Sequence, residues 1–385
     1  MNIMLVHNRY VNSGGEDVVF EQEFNLLKSN GHKVFSYVRH NNELEVISNV
    51  RAGVEAIWSK QSQNKLESVL IDNNVEVLHC HNLFARLSPS VYYSAKKLKI
   101  PVVQTLHNYR LICPSATMFR QGNVCDECVG RFPLSSLKYS CYKSSYAATG
   151  GLSLMLGVHR VLGTWRNQVN QYVAVSEFVK GMYIRGGLPE ERIVVKPNFL
   201  EHDPGIGCGG GGYILYVGRL SQEKGIEILL NGWRNVNNGL VLKIIGDGPL
   251  RTLVERFAAK DSSIEFNGIC SKSEVLSMMK EAELLVVPSL WHEPFGLVVI
   301  EAFATGLPVV TTGQGALSEL VEDSVTGLHY KSFDSQDMAD KINYLVASPS
   351  IKEKLSKNAR KEYEEKYTED KNYEMLHDIY NHLIN

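Results

Sequence analysis

The chain reads as an α/β protein built from two doubly wound domains with parallel sheets. Three observations predict this. Short apolar runs alternate with amphipathic stretches from end to end, the pattern of strand–helix–strand units in parallel sheets. The apolar runs fall into two series of six. Between the series, Pro197-Asn198 and then Pro204-Gly205-Ile206-Gly207-Cys208-Gly209-Gly210-Gly211-Gly212 read as a flexible connector. Length agrees, because 385 residues exceed what one hydrophobic core supports.

The first series predicts strands at residues 3–7, 33–38, 75–80, 102–107, 171–176 and 193–196. The second predicts strands at 213–218, 241–246, 264–267, 284–288, 309–312 and 328–330. Most of these runs are predominantly apolar, as expected of strands in sheets covered by helices on both faces. Periodic stretches at 16–30, 226–235, 250–260 and 273–281 supply helices between them. Residues 351–385 are charged and helical, with Tyr373, Leu376, Ile379, Tyr380 and Leu383 as the apolar positions. Gly205, Gly207 and Gly210 fit a dinucleotide glycine pattern, but they precede a strand, whereas a dinucleotide loop must follow one.

Composition bounds the function. The hydrophobic fraction is 44% and the charged fraction 21%, ordinary for a globular protein. The start, Met1-Asn2-Ile3-Met4-Leu5-Val6-His7, reads as a buried strand and not as a signal peptide. No window approaches a membrane span; the most lipid-like piece, Gly150 to Leu162, is broken by glycines, His159 and Arg160. A cytoplasmic location is expected, with the inner face of the membrane as its variant. Residues 1–200 carry a formal +7 and residues 201–385 a −9. The basic half, with Lys96-Lys97-Leu98-Lys99, suits an anionic acceptor or an anionic lipid surface, so peripheral membrane association is considered. Nucleic acid is not expected as a partner. Cys113, Cys125, Cys128 and Cys141 are read as free thiols in a loop, with a structural zinc knuckle as the alternative.

Ligands of open α/β sheets bind at the carboxyl ends of strands. The strand at 284–288 leads into Ser289-Leu290-Trp291-His292-Glu293-Pro294-Phe295-Gly296-Leu297-Val298-Val299-Ile300-Glu301. Pro294 and Gly296 break the geometry before a helix, placing Glu293 in the loop and Glu301 in the helix. Amides of Phe295, Gly296 and Leu297 at the helix start suit an anion, and the carboxylates accept bonds from hydroxyls; a phosphorylated sugar has both chemistries. The strand at 213–218 delivers Gly218-Arg219 and, after Leu220-Ser221-Gln222-Glu223, Lys224-Gly225; two cations there suit a diphosphate. Gly246-Asp247-Gly248-Pro249 is a tight turn in which Asp247 is a turn former or cap. In the first half, Gly14 and Gly15 open a helix after the first strand, exposing amides to a phosphate or sugar. His79, His81, His107 and Asn108 follow two further strands. His79 and His81 share one side of a strand, but two local ligands are too few for a metal.

The Glu293–Glu301 spacing after the Pro288–Gly296 turn resembles the glutamate pair of the retaining glycosyltransferases of family 4. Their fold, GT-B, has two Rossmann-like doubly wound parallel-sheet domains facing a central cleft. The segments around Arg219 and Lys224, the Gly246–Pro249 turn, the loop 266–270 beside the base and the Gly14-Gly15 loop are similar to further elements of that family. The resemblance implies an acceptor-binding domain at 1–198 and a donor-binding domain at 199–365, with the last helix, about 366–385, returning to the first. It implies transfer of a hexose from a nucleotide diphosphate sugar to a hydroxyl of a glycan or polyprenyl-linked saccharide, with retention, in surface polysaccharide assembly. UDP-glucose is the expected donor and GDP-mannose the alternative; no metal or other cofactor is required. Arg219, Lys224 and the Phe295–Leu297 amides then hold phosphates, Glu301 the ribose and Glu293 sugar hydroxyls. His107 hydrogen-bonds near the reacting centre, with His81 and Asn108 in the acceptor pocket or behind it. A nucleotide-sugar epimerase and a non-catalytic sugar-binding protein are the competing classes.

Overall fold

Each series of apolar runs forms one parallel six-stranded sheet. The computed structural model describes residues 1–11, 14–46, 49–236 and 239–384. In the first half these are β1 (Asn2–Arg9), β2 (Lys33–His40), β3 (Val77–Cys80), β4 (Val102–Leu106), a small hairpin β5 (Phe119–Arg120) and β6 (Asn123–Val124), β7 (Gln171–Ala174) and β8 (Ile193–Val195). In the second half they are β9 (Tyr213–Val217), β10 (Val241–Ile245), β11 (Ile264–Gly268), β12 (Leu284–Val287), β13 (Val309–Thr312) and β14 (Gly327–Tyr330). All twelve sheet strands fall where the apolar runs predict, with ends moved by one or two residues. The hairpin is additional.

The first sheet has the order β2-β1-β3-β4-β7-β8 and the second β11-β10-β9-β12-β13-β14. In the first, Met4 of β1 is flanked by Phe35 and Leu78. In the second, Leu215 of β9 is flanked by Lys243 and Leu285. The chain steps outward in one direction from β1 and then returns to the other side at β3. It does the same from β9 to β12. Adjacent loops diverge at these two switch points and leave a crevice at the carboxyl ends of the strands. That geometry sets where side chains can meet a ligand.

Packing divides the chain into two units. One comprises Met1–Met118, Cys125–Asn198 and the residues from Asn372 onward; the other comprises Phe119–Val124 and Phe199–Lys371. The first unit's core includes Ile3, Leu5, Phe20, Val77, Val103 and Val173, closed by Leu376 and Tyr380 of the last helix, Glu369–Ile384. The second unit's core joins Ile214, Tyr216, Leu242 and Val286 to Leu229 and Trp233 of the helix Ile226–Trp233. The glycine-rich run is not the flexible connector its composition suggests. Its amides at Gly207, Gly209 and Gly211 donate to the carbonyls of Thr305, Lys280 and Glu281 at 2.8–2.9 Å. Glycine serves there to bring backbone against backbone, which a tether would not do. Among the described residues no helix is long and apolar enough to cross a membrane.

Candidate active site

In the second unit the site grows from the exits of β9 and β12. The chain leaves β9 through Gly218, Arg219 and Leu220 and is held by the turn after β10. Leu220 donates its amide to the Asp247 carbonyl and accepts from the Leu250 amide, both at 2.9 Å. Gly246 has φ +138°, and a Cβ there would stand 1.9 Å from the Gly218 carbonyl oxygen, so only glycine fits. Gly225 has φ +71°, and its Cβ would stand 1.8 Å from the Pro288 carbonyl oxygen. These two contacts press the β9 exit against the β10 turn on one side and the β12 exit on the other. The Leu290 amide completes the junction by donating to the Glu223 carbonyl at 2.8 Å.

The closeness has a chemical result. Lys224 Nζ lies 2.6 Å from Glu293 Oε1, and Ser289 Oγ donates to the same oxygen at 2.6 Å. Glu293 is buried, so its charge needs these partners. The ammonium also sits 5.5 Å from the centre of the Trp291 ring. Nearby, the buried Trp291 Nε1 and Gln314 Oε1 have no hydrogen-bond partner among the described residues, whereas buried polar groups are normally paired. Arg219 is exposed, with no ion pair among the described residues. Gly296 caps the helix Leu297–Ala304, whose first internal bond runs from the Val299 amide to the Gly296 carbonyl at 2.9 Å. The Leu297 amide precedes that bond and is left outside the helix ladder, and Phe295 lies buried just before the cap. Glu301, in the second turn, pairs with Lys272, the first residue of the helix after β11. Burial pushes the Glu301 carboxyl up, and the Lys272 ammonium opposes that. Asp247 accepts from the Gly248 amide at 2.8 Å, the turn-forming role its sequence position suggests. Three cations and two carboxylates thus ring the carboxyl edge of β9–β12, a pattern that takes anionic phosphate together with hydroxyls.

In the first unit the corresponding point lies between β1 and β3. Asn12 and Ser13 of the glycine loop lie outside the described residues. Gly14 caps the helix Gly15–Ser29, and its amide donates to Asp17 Oδ2 at 2.8 Å. The backbone at Gly14 is extended, with open space where a Cβ would stand. Asp17 Oδ1 holds His7 Nε2 at 2.8 Å, both groups being buried. Six residues further along, Glu23 is fully buried, and Lys196 Nζ donates to its Oε1 at 2.8 Å and to Asn372 Oδ1 at 2.9 Å. The other oxygen, Oε2, stands 3.4 Å from His81 Nε2, and His81 Nδ1 is 2.9 Å from His107 Nε2.

Charge and burial act together along this line. Burial would raise the Glu23 carboxyl, but Lys196 first and His81 after it hold it well below its ordinary range. Burial lowers His107 strongly, so the ring is neutral. His81 Nδ1 and His107 Nε2 share one hydrogen bond, whose direction follows from the tautomers of the two rings. His79 differs: burial lowers it to about 3, and its nitrogens bond Tyr380 and Thr105, each at 2.7 Å. Among the described residues, Glu23, His79 and His81 form the one group of three ligating side chains whose donor atoms lie within 4.8 Å of each other. Glu23 is the third ligand absent from the local sequence. Lys196 already supplies the positive charge beside it, and His79 is engaged at both nitrogens, so the set is used internally.

A cavity of about 50 Å³ lies beside this line, bordered by His81, His107, Asn108, Arg110 and Glu16. Asn108 donates its amide to Glu16, and burial raises the Glu16 carboxyl to about 7. None of Cys113, Cys125, Cys128 and Cys141 is in a disulfide, and burial pushes the Cys128 thiol up to about 12. The structure thus gathers Arg219, Lys224, Glu293, Phe295, Gly296, Leu297 and Glu301 at one switch point, and His81, His107, Asn108, Gly14 and Gly15 around the other. Sequence reasoning missed Glu23, Lys196, Lys272 and the burial of Glu16. Glu23 could have been found, since it interrupts the apolar stripe Val19, Phe20, Leu26, Leu27.

Comparison with known proteins agrees with both halves. The family model described as Glycosyltransferase Family 4 matches residues 13–203, and that for Glycosyl transferases group 1 matches residues 209–362. An uncharacterized glycosyltransferase of Methanocaldococcus jannaschii is 32% identical over 56% of this chain and 60% of its own length. An uncharacterized protein of the Klebsiella pneumoniae cps region is 25% identical over 83% of this chain and 87% of its own. Among solved structures, Anabaena Alr3699/HepE in complex with UDP and glucose aligns over 98% of this chain and 99% of its own, with TM-score 0.70 and 14% identity. Sucrose-phosphate synthase of Thermosynechococcus elongatus gives TM-score 0.72 at 19% identity over 99% and 98%. With two parallel sheets of matching architecture and both family models satisfied in order, the chain belongs to glycosyltransferase family 4 and is a transferase of the GT-B fold.

Proposed function

We propose that the protein is a retaining hexosyltransferase that takes its sugar from a nucleotide diphosphate donor, UDP-glucose first, and passes it to a hydroxyl of a glycan or polyprenyl-linked saccharide in surface polysaccharide assembly. The observation that carries this reading is the Lys224–Glu293 pair at the β9–β12 switch point, flanked by the exposed Arg219 and the helix start at Gly296. As the anomeric C–O bond breaks, negative charge grows on the leaving diphosphate. Arg219, Lys224 and the amides of Phe295, Gly296 and Leu297 stabilise that charge without a metal ion. Glu301 binds ribose hydroxyls and Glu293 sugar hydroxyls. The acceptor oxygen forms the new bond on the face the diphosphate leaves, and its proton passes to a diphosphate oxygen. His107, neutral in its buried position, orients the acceptor hydroxyl by hydrogen bonding, with His81 and Asn108 behind it. The bound UDP and glucose of the Anabaena protein support the donor class, and the cps location of the Klebsiella relative supports the pathway.

The test is a thermal-shift titration with UDP-glucose and GDP-mannose, followed by anomeric analysis of the product by NMR. The preferred donor should raise the melting temperature by mass action, and Glu301→Ala should abolish that response. A GDP-mannose response alone would make the enzyme a mannosyltransferase. Conversion of the nucleotide sugar without any acceptor would make it an epimerase, and an inverted product would remove the retaining mechanism.

A further inference from the structure

The segment between Glu127 and Glu177 contains Arg131, Lys138, Lys143, Arg160 and Arg166 and not one Asp or Glu. On the first unit it forms the helices Leu134–Lys138 and Tyr146–Val161, followed by the short helix Thr164–Asn167 and β7. The longest helix is apolar on two faces. One face buries Leu152, Met155, Leu156 and His159. The other carries Tyr146, Leu154, Val158 and Val161 at helical spacing, with Tyr146 71%, Leu154 57% and Val161 76% exposed. Phe132 and Leu134 extend this face across an open apolar groove floored by Leu137, Gly150 and Gly157. Single exposed apolar residues are normal, but a continuous patch of this kind marks a docking surface.

We propose that this face docks on an anionic lipid bilayer, with the helix Tyr146–Val161 lying in the plane of the interface. The charge pattern selects that occupant. A second copy of the chain would bring like charges together, because the segment 128–176 carries five basic residues and no acidic one. Basic residues flank this face in the chain: the exposed Lys138 follows Leu137, with its ammonium 5.3 Å from the ring centre of the exposed Tyr139, and the exposed Lys143 precedes Tyr146 by three residues. Tyrosines at a lipid–water interface keep their hydroxyls in water, while lysine stems follow the apolar surface and their heads reach phosphate. Arg160 fastens the frame by donating to the Gly130 and Arg131 carbonyls at 2.7 and 2.6 Å, so the groove is held open by the fold. A helix with one face in its own core and the other apolar and exposed lies on a membrane and does not span it.

The test is flotation of the full chain with vesicles of phosphatidylcholine alone and of phosphatidylcholine mixed with phosphatidylglycerol. Wild type should float with the anionic vesicles only, and raised salt should weaken it. Each basic residue removed should cost about fivefold in partitioning, so Lys138→Glu with Lys143→Glu should reduce it by more than an order of magnitude. Leu154→Asp with Val161→Asp should abolish flotation while the melting temperature stays unchanged, since both side chains are exposed. Wild-type flotation by either double variant, or none by wild type at low salt, would overturn the proposal. So would a wild-type dimer that Leu154→Asp dissociates, or selective capture of an acidic protein without lipid binding.

Discussion

Lys224 and Glu293 hold each other in the structure, so a substitution at either one has two separable effects. Lys224→Met leaves the buried Glu293 carboxylate with only Ser289, which should cost about 1–3 kcal/mol of stability, less than a fully buried pair because Lys224 is partly exposed. It should also weaken donor binding by tenfold or more. Adding Glu293→Gln should restore most of the stability and none of the binding; urea denaturation and donor titration of the four proteins form the cycle that checks this. Glu16 offers a pH signature. Its folded carboxyl keeps its proton to about pH 7, against an ordinary value of 4.5. Between those values the folded state binds more protons, so this contribution is complete below about pH 4.5 and fades as pH rises to 7. The difference between wild type and Glu16→Gln in urea stability should therefore change by roughly 3 kcal/mol from pH 4.5 to 8, wild type losing ground as pH rises. A parallel pair of pH profiles would remove the assignment. The residues most legible from sequence are those whose role follows from backbone position, such as Glu293 in a turn or Gly246 in a tight exit. Lys272 and Lys196 were not legible, because their partners Glu301 and Glu23 lie 29 and 173 residues away.

The central strands announced themselves because they are buried on both faces, which forces an apolar run, whereas the edge strands β2 and β11 keep exposed polar residues among their apolar ones. The segment 108–168 did not announce itself, since its short helices and hairpin are set by local turns and by side chains such as Arg110, whose guanidinium lies over the Phe84 and Tyr142 rings and reaches the Pro114 carbonyl. The glycine run misled in the other direction, because composition signals freedom while only three-dimensional neighbours show close packing. Loop geometry is where an element-scale substitution is most informative. Gly225→Ala should push the β9 exit away from Pro288 and lengthen the Lys224–Glu293 distance. The positive φ and the backbone clash together should cost about 2–4 kcal/mol. Urea unfolding should show the loss, and nucleotide-sugar affinity should fall with it. Gly14→Ala is the contrast: extended backbone and open space predict little change in stability.

The chain's last helix, Glu369–Ile384, is an internal part of the first unit although it follows the whole of the second in sequence. Leu376 and Tyr380 are fully buried against β1, β3, β4 and β7, Tyr380 bonds His79, and Asn372 bonds Lys196 and the Pro197 carbonyl. The first unit cannot complete its core until the helix Glu369–Ile384 has been made. Its stability then depends on one helix that contributes no strand and no residue of the donor site. Leu376→Ala should open a cavity and cost about 2–5 kcal/mol, all of it in the first unit. Two unfolding transitions should then separate in urea, because the second unit's core shares no residue with the affected cluster. Donor binding offers an independent marker: UDP-glucose should still raise the transition of the second unit in the variant, with the first unit's midpoint moved down and unresponsive. A single transition that shifts as a whole would show that the two units unfold together. In that case the helix would stabilise the entire enzyme and not only the sheet on which it packs.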